Sequence, residues 1–183
     1  MEADWEFEIG DSAPVIEAYW SGFVDLRSHP ERASELSECH EWPALAESLL
    51  RLNKTGSPVW TSKADVFTPD NIDPDEMGAS IGESAHSIAC YIDVLLRSGT
   101  EWPDQQAAEA ACRKICRELR DVDLRCCRID LVARKALVGV EEHLGATVYF
   151  AACGATPSEA RRRLGECLNA LAETMVPQRS LNS

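Results

Sequence analysis

Eight cysteines and four histidines are the residues of this 183-residue chain best able to hold a metal or attack a substrate. Cys112 and Cys116 share a helix face at i, i+4, and Cys126-Cys127 follow shortly after. Structural zinc sites use tight C-x₂₋₄-C knuckles in matched pairs. Cys112 and Cys116 fall instead inside an apolar stripe, and adjacent cysteines on a strand point to opposite faces. Spacing therefore favours thiols that act as small core hydrophobes, and no metal or cofactor is expected. His29, His40, His86 and His143 make no H-x-x-x-H or H-E-x-x-H pattern. Cys39-His40 would have to fold back on each other to serve as nucleophile and base, and His86 and Cys90 share a strand face beyond direct contact. Ser62 and Lys63 are strand neighbours facing opposite ways. No glycine-rich phosphate loop occurs, and Arg161-Arg162-Arg163 sits between Glu159 and Glu166, as on a solvated, ion-paired helix.

A fuller grouping comes from strand phase, because residues two apart share a sheet face. One face collects Trp60, Ala64, Val66, Ile88, Cys90, Ile92, Val94, Ile129, Leu131, Ala133, Val148, Phe150 and Ala152, which suits contact with helices. The other collects Thr61, Lys63, Asp65, Tyr91, Asp93, Arg128, Asp130, Arg134, Thr147 and Tyr149, with acids and bases in balance. Its ordinary reading is a wet face with cross-strand ion pairs, each contributing under about 1 kcal/mol. Its functional reading is a recognition surface, since Tyr and Arg are enriched at binding hot spots. A third reading has the N-terminal segment folded over it. The candidate site is Lys63, Asp65, Tyr91, Asp93, Arg128, Asp130, Arg134 and Tyr149.

The elements that would position these residues follow from periodicity and breakers. Trp5-Glu6-Phe7-Glu8-Ile9 alternates apolar and acidic residues as a strand does, and Gly10-Asp11 ends it. After Ser12, Pro14, Val15, Ile16, Tyr19, Trp20 and Phe23 have the spacing of a helix. A short helix is expected from Glu31 to Leu36. A longer one starts at Pro43, with Leu45, Ala46, Leu49, Leu50 and Leu52 as its stripe. Strands are expected at Val59 to Phe67, His86 to Leu96, Arg125 to Val138 and Ala146 to Cys153, with helices from Gln105 to Arg120 and from Pro157 to about Thr174. Residues 68–85 form a long acidic loop. Ala108, Cys112, Ile115, Cys116 and Leu119 align with Ala160, Leu164, Cys167, Leu168 and Leu171. That alignment makes residues 58–176 a tandem β-β-α repeat, preceded by an acidic, Trp-bearing segment, 1–57, and followed by a 177–183 tail. The expected fold is one α+β domain: a four-stranded antiparallel sheet with two helices on one face, plus an N-terminal strand and two or three helices.

Net charge is −13, and all of it lies in residues 1–88, where 18 acids face 5 bases. Such a field lowers the prospects of nucleic-acid binding and suits a basic protein partner. No run approaches a membrane span, no secretory signal is read at the N-terminus, and the thiols are expected reduced in a cytosol. Over residues 43–174 the order of elements resembles that of bacterial secretion chaperones, without a shared motif. The expectation is a cytoplasmic, non-catalytic protein-binding module of chaperone, immunity or accessory type, dimeric, with no nucleic-acid or membrane partner. The alternative is a small-molecule-binding or enzymatic domain with its site on the polar sheet face.

Overall fold

Three long helices cover one face of a six-stranded mixed sheet in the computed structural model, which describes residues 1–8, 14–69 and 73–176. Ile9 to Ser12, Asp70, Asn71 and the 177–183 tail lie outside the described residues. The strands are β1 (Glu2–Glu8), β2 (Ile16–Glu17), β3 (Val59–Phe67), β4 (His86–Leu96), β5 (Cys127–Val138) and β6 (Glu141–Gly154). The helices are α1 (Ser37–His40), α2 (Pro43–Asn53), α3 (Gln105–Arg120) and α4 (Pro157–Met175).

Strand order is β1-β5-β6-β4-β3, with β2 also on β5. The β3-β4, β4-β6 and β5-β6 pairs are antiparallel, while β1 and β2 run parallel to β5. The sheet is thus wider than the expected four strands, because the N-terminal segment completes its edge. On the helix side, α3 lies over β1 and β5, α4 over β6 and β4, and α2 beside α4 over β3. Both predicted stripes point inward: Ala108, Cys112, Cys116 and Leu119 from α3, and Ala160, Leu164, Cys167, Leu168 and Leu171 from α4, are buried. Each helix has a side-chain cap on an orphan amide: Asp104 accepts from Ala107 N at 2.8 Å, and Thr156 from Glu159 N at 3.2 Å.

Two further expectations fail. The 12–23 segment is not helical in its described part. Val15 N and Ala18 N donate to Lys135 O and Leu137 O, both at 3.0 Å, so the β-branched pair at 15–16 joins the free edge of β5 as β2. Gly22, at φ +106, sits in a backbone region closed to a helix. In β3 a bulge separates Thr61, opposite Val94, from Ala64, opposite Ile92. Three residues there span what two span on β4, so the phase before the bulge is reversed. Trp60, expected on the helix face, packs with Ile16, Ala18, Leu95 and Ala136 on the far side. Thr61, expected on the polar face, turns inward to Asn53 of α2.

Candidate functional site

Cross-strand register assembles the polar face in rows. Asp65 lies opposite Tyr91, Tyr91 opposite Tyr149, Tyr149 opposite Asp130, and Asp130 opposite Asp4. Two tyrosines are therefore flanked by carboxylates on both sides. The neighbouring row runs Asp93, Thr147, Val132 and Glu6, and Glu8 follows opposite Arg134. Sequence phase placed all eight candidate residues on this face. It missed Asp4, Glu6 and Glu8, which the parallel pairing of β1 adds, so a face expected to be neutral is acidic. The alternation of β1 was legible in the sequence as a strand with one acidic side, but its parallel pairing with β5 was not.

Both ends of the face are roofed. At one end Ile16 and Ala18 are buried with Trp60, Leu95 and Ala136. Tyr19 and Phe23 continue this aromatic cluster, with Arg27 stacked 4.3 Å from the Trp60 ring. At the other end the 73–85 loop buries Met77 and Ala79 against Cys126 and Cys153. Glu76 pairs there with Arg128 at 3.3 Å. Between the roofs lies an open basin of about 360 Å³ lined by Lys63, Tyr91, Asp93, Arg134, Thr147 and Tyr149, with Val15 and Phe67 at its rim. Val15 is 56% exposed and Phe67 41%. A second hollow lies between β1 and β5 and brings Arg128 and Asp130 together with Asp4, Glu6, Arg134 and Tyr149. Asp65 stands apart, its carboxylate accepting from Val66 N at 2.8 Å.

Within the basin and the hollow beside it the polar groups are mutually committed. Arg134 donates to the Tyr149 hydroxyl at 2.9 Å and pairs with Glu8. Arg128 Nε donates to Asp130 at 2.7 Å. Thr147 donates to Asp93 at 2.7 Å, and burial nonetheless raises the Asp93 pKa. The Lys63 ammonium lies 5.9 Å from the Tyr91 ring centre. The Tyr91 hydroxyl raises the lysine pKa, while burial raises that of Tyr91. Proton transfer at neutral pH needs groups poised near pH 7. Both members of this pair have moved further from it, whereas burial moves Asp93 towards it.

The other chemistry-bearing residues are spent elsewhere. All eight cysteines are free and buried. Burial lifts Cys39 and Cys112 to about 11 and Cys116 to about 12. Such thiols are poor nucleophiles. His40 is exposed while Cys39 is buried, and His86 is exposed while Cys90 is buried, so neither forms a pair. Ser62 Oγ contacts the Glu17 and Ala18 carbonyls at 3.1 and 3.0 Å rather than any base. Arg162 pairs with Glu166, but Arg163 is buried and donates to Cys153 O at 2.8 Å and Glu159 at 2.7 Å. Among the described residues no three His, Cys, Asp or Glu side chains are placed to hold a metal. None of the helices is long and apolar enough to cross a membrane, among the described residues.

Sequence reading also missed a cleft of about 340 Å³ between the 20–26 segment, the α1–α2 region and the bulge of β3. Its walls come from elements far apart in the chain, and the irregular 20–26 backbone carries no periodic signal. No protein-family model, curated protein or solved structure matches this chain.

Proposed function

We propose that this chain is a non-catalytic protein-binding module, of chaperone, immunity or accessory type, that reads a basic partner surface with the sheet face around Tyr91 and Tyr149. The observation that carries this is the parallel seating of β1. It sets Asp4, Glu6 and Glu8 beside a tyrosine–arginine basin whose rim exposes Val15 and Phe67. An aromatic centre inside a charged rim is the usual make-up of a protein interface. Carboxylates at that rim steer basic partners and repel phosphates, so nucleic acid is no partner in this reading. The reading includes a homodimer and a cytosolic location, the latter supported by eight free thiols. It also takes the two β-β-α units as a tandem repeat, supported by their matching buried stripes.

Affinity capture from the source cell, with wild type, Y149A, E6K and the α3 variant E118K immobilised, tests the proposal. A protein held by wild type and E118K should be lost by Y149A and E6K. Identical capture by all four would refute it. Loss of an aromatic hot spot costs about 2 kcal/mol or more, about thirtyfold in affinity.

One observation favours a second reading, a small-molecule site: the Asp93 carboxyl is desolvated within the basin. Native mass spectrometry of the purified chain separates the two, since a retained ligand displaced by D93N would support the small-molecule site.

A further inference from the structure

The cleft beside the β3 bulge is separate from the sheet basin and lies on the other side of Lys63. Val24, Leu26, Leu36, Leu45 and Leu49 supply apolar walls, and the Trp20 indole closes one end. Trp20 is fixed in place because its Nε1 donates to Ser62 O at 3.1 Å. Polar groups in the walls are already satisfied: Thr61 by Asn53, and Ser62 by the Glu17 and Ala18 carbonyls. The charges at the mouth are unequal. Glu35 is paired with Arg32 at 3.0 Å. Lys63 stands between the two hollows, its ammonium 5.7 Å from the Trp20 ring centre and 5.9 Å from that of Tyr91, within the field of Asp93 and Asp65. Glu38 accepts from the Ser37 hydroxyl at 2.9 Å, and among the described residues no base pairs with it.

We infer that this cleft is a binding site for a small organic cation, an amine carrying an alkyl or aryl body. The apolar walls take the body and the Glu38 carboxylate takes the ammonium. A volume of about 340 Å³ is at the small end of ligand sites. It suits a molecule on the order of ten non-hydrogen atoms. An anionic ligand with the same body would set its carboxylate against Glu35 and Glu38, and the lining cation, Lys63, is shared with the field of Asp93 and Asp65. The site is independent of the protein-binding reading, so either can stand without the other.

The test is NMR titration of the full chain with matched amines, alcohols and carboxylates on hexyl, cyclohexylmethyl and 4-phenylbutyl bodies. The amine of at least one body should shift the Trp20 indole and the Leu36 and Leu49 methyls. It should bind about fivefold more tightly than its carboxylate, as one partly exposed ion pair allows. E38Q should erase that preference while leaving alcohol affinity unchanged, which also reports an intact cleft. Raising salt to about 1 M should shrink the preference in wild type. V24W, which fills the mouth, should abolish binding of all three classes. Carboxylates binding as tightly as amines, shifts at Tyr91 and Tyr149 instead of Trp20, or no binding by any compound would each overturn the inference.

Discussion

Asn53, the last residue of α2, carries more of this architecture than its position suggests. Its side chain is fully buried and makes three hydrogen bonds: Nδ2 donates to Leu49 O at 2.8 Å and to Thr61 Oγ1 at 2.7 Å, and Oδ1 accepts from Thr61 N at 3.0 Å. The last of these serves a main-chain amide on the outer edge of β3, the side away from β4. N53A strands that amide where Thr61 is only 4% exposed. A buried unsatisfied N–H costs about 1–3 kcal/mol, and the lost contact to the hydroxyl adds about 1 kcal/mol. The expected loss is about 3 kcal/mol, a fall in Tm of about 6–12 °C for a chain of this size. T61V removes only the hydroxyl and should cost about 1 kcal/mol. Urea unfolding of both variants and of the double variant checks the arithmetic. The double variant should unfold close to N53A, since the hydroxyl contact is already gone. Hydrogen exchange at Thr61 N–H should rise in N53A and hardly change in T61V. If T61V were as damaging as N53A, the Asn53 carbonyl would not be what satisfies the Thr61 amide, and the hydroxyl contact would carry the loss instead.

Three further outcomes follow from single sites. Burial raises the Asp93 pKa, so the folded protein holds that proton more tightly than the unfolded chain, and stability falls as pH climbs from about 4 through the folded pKa. D93N keeps an acceptor for Thr147 and lacks the penalty, so its stability relative to wild type should grow over that rise; a shrinking difference in denaturation at several pH values would count against burial as the cause. Native protein should react slowly with a thiol reagent at mildly alkaline pH, and all eight thiols should react once it is unfolded. A fast native phase of several equivalents would show the core to be open. In G154A the new Cβ would lie 2.6 Å from Ala160 N, main chain of the first turn of α4, whereas G82A meets nothing within 4 Å. G154A should lose about 2 kcal/mol or more, and G82A should stay within about 0.5 kcal/mol of wild type by thermal denaturation.

Strands β3 and β4 and helix α3 have the bounds that their sequence predicts, because strong breakers close them at both ends. Elements whose limits depend on a distant partner read less well. Strand β6 begins at Glu141, not Ala146, because β5 extends to Val138 and offers Glu141 to Gly145 a ladder that no local pattern announces. Val15 and Ile16 lie in a segment that local spacing reads as helix, and only the vacant edge of β5 decides for strand. The β3 bulge is the sharpest case. Period-two counting carried through Ser62-Lys63 gives Lys63 and Asp65 the correct face and Trp60 and Thr61 the wrong one, since the extra residue lies between them. Thus the candidate face was legible on the far side of the bulge, and its roof was not.

That roof and the acidic edge share one cause. A sheet ending at β5 would leave a 12-residue strand with a bare edge of main-chain donors and acceptors, an invitation to pair with other chains. Strands β1 and β2 occupy that edge in succession, from Arg128 to Leu137. Having taken the edge, β1 must alternate, so each apolar residue it gives the core, Ala3, Trp5 and Phe7, requires a neighbour on the polar face. Those neighbours are Asp4, Glu6 and Glu8. Any polar residues would keep the edge soluble, and lysine serves that purpose at many edges. Glu8 is matched to Arg134 and Asp4 to Arg120 by ion pairs, whereas no ion pair to Glu6 is found among the described residues, and it is there that selection for a basic partner would leave its mark. E6Q should accordingly leave urea stability within about 0.5 kcal/mol while slowing association with such a partner, most at low salt.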